Sequence, residues 1–338
     1  MKLKSLLPIL LLLSGFTAYA QGDIEDLVKG SAADANYLVQ GYAEPLLKGL
    51  GYGLNQGWYN TAAPHKIAGF DLTFPVSASL MLVPNKDMQF QIDNSRLTSI
   101  ERLNGPNGAA ASGPAQTILG TDQETTLRLK ASGNQFSMPG GLNLKQEIGI
   151  NAVPFAMVQL GFGLPKQTDI KLRYVPDLKS FGDDVSVNLF GIGVMHEIKQ
   201  WIPGIKNLPF SLSGFVGYTK LKIGVGFDSG SSSTGSATYE VNATTIQGLI
   251  SKKLSVLTLY GGLGVNIAKS DLTMTGKFDT DDDSTTADQS LTILANASSS
   301  GPRATAGFRL KLAIFTIHAD YTLQKYNAIN AGLGLSIR

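Results

Sequence analysis

From Leu257 to Ala268 the chain alternates without a lapse, with Leu257, Leu259, Gly261, Leu263, Val265 and Ile267 on one parity and Thr258, Tyr260, Gly262, Gly264, Asn266 and Ala268 on the other. Successive side chains of a strand point to opposite faces, so this run makes a strand with one apolar face and one small or polar face. The same split recurs in Ala306, Phe308, Leu310 and Leu312 against Thr305, Gly307, Arg309 and Lys311. It recurs again in Phe315, Ile317, Ala319, Tyr321 and Leu323 against Thr316, His318, Asp320, Thr322 and Gln324, and in Ile329 to Ile337 against Asn330 to Ser336. A soluble sandwich also alternates, with its apolar face turned inward. These runs reach the roughly 9 to 11 residues of a tilted membrane-crossing strand, and their other face carries Gly, Thr, Asn and charges of both signs, as a wet lumen does. The expected fold is all-β: an antiparallel transmembrane β-barrel.

Composition agrees. Charged residues are 16% of the chain against about 25% in an average soluble domain. Beyond the first twenty residues no apolar stretch is long enough for a membrane helix, so any crossing must use strands. There is no Cys, which excludes disulfides and a lipid on an N-terminal Cys. Setting Lys2 and Lys4 aside leaves 26 basic residues (28 − 2) against 26 acidic ones. A nucleic-acid partner is not expected from that balance.

Residues 1–20 have a charged start (Lys2, Lys4), an apolar run from Leu6 to Leu13 and the small-residue ending Ala18-Tyr19-Ala20. That is the pattern of a cleavable secretory signal, with Gln21 as the first mature residue and the outer membrane as destination. An anchor helix fits less well, because Pro8, Ser14, Gly15 and Thr17 interrupt the run. Residues 21–66 form a helical N-terminal segment, read as helix from Asp23 to about Asn55, with Asp23, Glu25 and Asp26 at the start, breaks expected near Gly41 and Pro45, and an irregular link marked by Gly51, Gly53, Gly57 and Pro64. Two placements are open for this segment: a helical pair in the periplasm, or a plug in the barrel mouth.

Residues 67–338 are expected to form the barrel, of roughly 12–14 strands by the spacing of amphipathic runs. Earlier strands are expected at Leu142–Ile150, Phe155–Phe162, Asp169–Val175, Val185–His196, Phe210–Phe227 and Tyr239–Ile250, while 92–135 shows no assignable strand. In Phe210–Phe227 the apolar parity changes after Tyr218, which predicts either a bulge or a strand that outruns the lipid. Asp228–Gly235 and Asp279–Gln289 read as long polar loops, against short turns at Leu164–Gln167 and near Lys252.

The segment Gly51-Tyr52-Gly53-Leu54-Asn55-Gln56-Gly57-Trp58, then Gly161-Phe162-Gly163-Leu164-Pro165 and Ile170-Lys171-Leu172-Arg173-Tyr174, resembles the FadL-like outer-membrane transporters of hydrophobic compounds. Gly193 to Pro203 (GVMHEIKQWIP) with Leu208-Pro209-Phe210 looks more like a branch of exported barrels of unknown function near that superfamily. The resemblance implies a plugged barrel that passes apolar small molecules sideways into the lipid. No position matches a ligand motif of the family. The chain departs from the pattern in ending Ile337-Arg338 rather than on an aromatic residue, and in being short for a fourteen-stranded member.

Lys145, Glu147, Asp169, Lys171, Arg173, Arg309, Lys311, His318 and Asp320 all fall on the expected lumen parity, where opposite charges on neighbouring strands pair or tune permeation. His318 and Asp320 share a face about 7 Å apart, with no nucleophile marked, so an inward polar pair is expected rather than a hydrolase. His196 with Trp201 fits an interfacial turn. Asp279, Asp281 and Asp283 have calcium-loop spacing, but Ser284 and Ser290 stand where Gly and Glu are required, so a solvated loop is expected. No catalytic, metal or cofactor site is expected. Three roles remain: passive passage of hydrophobic or small solutes, a structural or partner-docking barrel, and, least favoured, a barrel-embedded hydrolase.

Overall fold

A computed structural model describes residues 30–67, 69–73, 78–175, 185–228, 234–277 and 291–337. The signal segment and the acidic loop Asp279–Gln289 lie outside the described residues. Helix α1 (Ala32–Leu54) opens the described chain. The strands follow as β1 (Phe70–Thr73), β2 (Ala78–Leu82), β3 (Gln89–Ile92), β4 (Ile100–Arg102), β5 (Gly113–Gln116), β6 (Thr125–Leu129) and β7 (Gln135–Met138). After the short helix α2 (Leu144–Ile148) come β8 (Ala152–Ala156), β9 (Gln159–Leu164), β10 (Thr168–Val175), β11 (Val185–Glu197), β12 (Ser211–Asp228) and β13 (Thr234–Leu254). The last are β14 (Leu257–Lys277), β15 (Leu291–Ser298), β16 (Gly301–Leu312), β17 (Phe315–Leu323) and β18 (Ala328–Ile337).

The barrel is closed, antiparallel and built of ten staves. Some staves are two strands in line: β1 and β2 both pair with β18, β8 pairs with β2 while β9 pairs with β1, and β15 and β16 both pair with β14. Closure is made where Phe70 to Thr73 pair with Ile337 to Gly334. The count falls below the expected 12–14 for two reasons. Residues 83–151 leave the wall as an insert, and β12, β13 and β14 run 18, 21 and 21 residues, so each stave consumes more chain.

The insert holds the ladders β3–β5 and β4–β6–β7, short strands within or at the edges of the stretch 92–135 whose strands the sequence pattern did not reveal. It also corrects Leu142–Ile150, which contains α2 rather than a wall strand. Leu144 and Ile148 satisfy a spacing of two as well as of four, and Gly149, left-handed at φ 83, ends the helix. Lys145 and Glu147 are therefore outside the lumen wall, and the Lys145 side chain is exposed.

Helix α1 also runs through both expected breaks. Pro45 removes one backbone donor, yet the helix continues. At Gly41 the Phe90 ring of the insert lies so close that any Cβ would collide with it, so this glycine serves packing rather than a turn. Ser31 caps the helix by accepting from the Asp34 amide. Its apolar side chains Ala35, Leu38, Val39 and Leu47 join Ile92, Ile100, Leu127 and Met138 of the insert and Val241, Met274 and Ile293 of the wall in one core. Helix α1 thus packs against the insert and the inner faces of the upper staves, in the manner of a plug.

The wall shows where lipid ends. On β14 Leu259, Leu263, Val265 and Ile267 are exposed while Thr258, Tyr260, Gly262, Asn266 and Ala268 are buried, the expected parity. Leu257 to Ile267 covers about 33 Å of strand and, at a tilt of about 40°, roughly 25 Å of height, the apolar band of an outer-membrane barrel. Beyond it the outward positions turn polar, with Lys269 and Asp271 on β14 and an ion pair of 2.7 Å between Lys220 and Glu240. The parity change in β12 has the same origin. Its register against β11 and β13 is unbroken, so no bulge is present. Val216 and Tyr218 face out, whereas Leu221 faces in and joins the apolar core to which α1 contributes.

Candidate functional site: the plugged lumen

The chain from Asn55 to Lys66 descends the lumen, and its polar groups are held by inward side chains of the staves. The C-terminal carbonyls of a helix lack intrahelical partners and carry partial negative charge, and the last turn of α1 has no basic residue of its own. The wall supplies the cations. Arg173 on β10 donates to the Leu54 carbonyl at 2.8 Å, the Gln56 carbonyl at 2.6 Å and Gln159 Oε1 at 3.0 Å. Arg303 on β16 donates to the Asn55 carbonyl at 2.7 Å, Gln56 Oε1 at 2.9 Å and Asn266 Oδ1 at 3.2 Å. Two arginines from separate staves thus grip the end of the plug.

Below the clamp, Trp58 lies with the Arg173 guanidinium 3.5 Å from its ring centroid and Phe215 at 5.5 Å. Gly193 and Gly217 line its slot, since a Cβ on either would come within 3 Å of the indole. Tyr59 donates to Gln247 at 2.7 Å. Asp320 accepts from Tyr260 at 2.8 Å and from Asn330 at 2.9 Å, and Ser79 donates to Asn330 in turn. His318 faces inward on the same strand, backbone-paired with Arg309.

At the short-turn end His65 ties the descending chain to the floor. Its amide donates to Asp169 Oδ1 at 2.8 Å, its Nδ1 lies 2.9 Å from Asp169 Oδ2, and its Nε2 lies 3.5 Å from Ser336 Oγ and 3.8 Å from Asp71. Lys171 stands 3.8 Å from Asp169, and Arg309 3.5 Å from Asp71. Ser336, His65 and Asp169 have the order of a hydrolase triad. All three are buried, however, and the Ser336 amide is spent on the Ile314 carbonyl. The trio fastens the loop. Lys311 is half-buried at the same end. Among the described residues no cluster could hold a metal.

Of the expected lumen residues, Asp169, Lys171, Arg173, Arg309, His318 and Asp320 are buried on inner faces. Parity found them. It did not find that their partners are largely the plug backbone, nor did it single out Arg303, Asp71 or Asp34. Arg303 was legible by extending the alternation of Thr305, Gly307 and Arg309 by one step. His196 contacts Trp201 with ring centroids 4.8 Å apart, and Trp201 is 69% exposed, as an interfacial anchor is.

At the other end Asp34 bolts α1 to the insert. Its carboxylate accepts from the Thr98, Ser99 and Ile100 amides and from the Thr98 and Ser99 hydroxyls. Burial pushes its pKa up, but these hydrogen bonds outweigh that and hold it below the usual carboxylate range. A lowered folded pKa means the contribution is present above the unfolded value and is lost as pH falls through the folded one. Amides of Thr98 to Ile100 are therefore expected to lose exchange protection in acid, below about pH 4. Asp34→Asn should loosen the same amides at neutral pH by about 1–2 kcal/mol. Unchanged protection in the variant would remove Asp34 from this role.

Comparisons with solved structures return barrels at low similarity. The attachment invasion locus protein Ail of Yersinia pestis is 15% identical, covering 46% of this chain and 95% of Ail, with a TM-score of 0.23. The translocator domain of the autotransporter NalP from Neisseria meningitidis is 12% identical, covering 87% and 93%, at 0.28. The toluene transporter TbuX of Ralstonia pickettii is 10% identical, covering 81% and 90%, at 0.15. Such scores do not bear on substrate, partner or mechanism. A search of curated proteins finds no match. One family model spans nearly the whole chain, residues 1–337, and the protein belongs to that family, described as a family of unknown function (DUF6588).

Proposed function

We propose that this protein is an outer-membrane barrel, closed at rest, whose insert and upper staves form a docking platform on the cell surface. The observation that carries this reading is the plug: α1 and residues 55–66 fill the lumen, with carbonyls held by Arg173 and Arg303 and the far end tied through His65. Lipid is the partner of the outward band, and the reading assigns no catalytic role. Fractionation should recover the protein in the outer membrane with Gln21 at its start. Reconstituted into vesicles, it should admit small sugars no faster than empty vesicles do. Rapid swelling would overturn closure.

A second reading, passive passage of hydrophobic or small solutes, is favoured by one feature. Apart from the cluster of Trp58, Tyr59 and Ala62 with Met195, Phe215, Leu249 and Tyr260, the lower plug is held by hydrogen bonds and ion pairs, which water can replace. Passage then requires the plug to shift first, and sideways release of apolar molecules, as in the FadL-like barrels the sequence resembles, belongs to this reading.

A further inference from the structure

We infer that the plug enters the barrel from the cell surface, so that the start of α1 is exposed outside the cell while the chain reaches its first stave from the periplasmic end. The direction is legible along one strand. β13 runs from the long-loop end at Thr234 to the short turn after Leu254. Its inward side chains meet the plug in order: the Tyr239 hydroxyl with the Leu47 carbonyl, Gln247 with Tyr59, and Ser251 with Thr61 and Ala62. The plug thus descends in the direction of β13. The series continues to His65, which reaches Asp169 and Ser336 beside the turn Leu164–Thr168 and the C-terminal strand.

The upper end is fixed just as firmly. Ser31 and Asp34 bond with Thr98, Ser99 and Ile100 of the insert, and Asn36 and Gln40 bond with the Leu294 and Asn296 backbones on the edge of β15, above the lipid band. The 83–151 insert leaves the wall at this end, and β10, β12 and β14 end here. The other end has the tight turns Leu164–Thr168, Leu254–Leu257 and Leu312–Phe315, one longer link, 198–210, and the end of β18. Long loops face outward and short turns face the periplasm in barrels of this kind, which sets the start of α1 outside. This orientation rests on the outer-membrane reading above.

A chain without Cys permits a direct test by single-cysteine labelling of the full-length protein. Ala33→Cys reports the start of α1, Ala131→Cys the insert and Lys206→Cys the opposite end, all at exposed positions. In intact cells a membrane-impermeant maleimide should label Ala33→Cys and Ala131→Cys as fully as in lysed cells, and Lys206→Cys only after lysis. Labelling of Ala131→Cys but not Ala33→Cys in intact cells would overturn the threading and leave the location standing. Labelling of Lys206→Cys alone would invert the barrel, and absence of the protein from the outer-membrane fraction would overturn both.

Discussion

Leu263→Arg is expected to cost about 2–4 kcal/mol of barrel stability, because it sets a charge near the middle of the lipid band. Leu263 is 70% exposed, and its cross-strand partners Gly248 and Ala304 carry no group that could pair with an arginine. Leu294 on β15 offers a matched contrast: it is also outward and 57% exposed, but it pairs with Thr273, beyond the polar outward positions Lys269 and Asp271 of the same stave. Leu294→Arg should therefore stay within about 0.5 kcal/mol, as for an ordinary surface substitution. Both variants can be followed by urea titration of folding into lipid vesicles. Equal losses would mean that the apolar face of β14 does not meet lipid, and the assignment of the band would fail with it.

The second large effect concerns the clamp. Arg173→Met and Arg303→Met each keep much of the side-chain volume while leaving helix-end carbonyls and a buried side-chain oxygen without donors. Each should weaken plug docking by about 2–4 kcal/mol, the cost of stranded buried acceptors facing a removed charge. The two sites share Gln56, through its carbonyl and its side chain, so the double variant should depart from additivity by at least about 0.5 kcal/mol. Amide exchange in α1 is the direct readout, because the wall ladder survives while the plug loosens. Vesicle swelling provides the functional readout. If the plug alone seals the lumen, the double variant should admit small sugars that the wild type excludes. Unchanged exchange in α1 would show that its apolar packing, not the arginine grip, holds the plug.

How far the sequence reads ahead varies with the kind of interaction. The lower halves of β14, β16, β17 and β18 were legible residue by residue, since lipid imposes one parity on every stave and nothing else competes. The same logic oriented Arg173, Arg309 and Asp320 inward. It weakened above the band, where Leu221, Val241 and Ile293 turn apolar faces inward because a helix from a distant part of the chain covers them. There alternation persists but its sign is set by a tertiary partner. It failed at Leu144–Ile148, where five residues satisfy both periods, and at Gly41, where close approach of Phe90 looks in sequence like a helix break.

By itself, then, the sequence determined that strands with one apolar face close into a membrane barrel, because a bilayer core leaves no other way to satisfy a backbone that lacks long apolar helices. It also set Asp169, Lys171, Arg173, Arg309 and Asp320 on inner faces, though not Arg303 or Asp71. Only the tertiary structure decided that the barrel has ten staves, that 83–151 stands outside the wall, and that the C-terminal end of α1 meets its inner faces. Those choices rest on contacts between residues far apart in the chain: Asp34 with Thr98 to Ile100, Asn36 and Gln40 with β15, Leu54 to Gln56 with Arg173 and Arg303. Local periodicity sets which face of a segment is apolar, but not which distant segment will cover it.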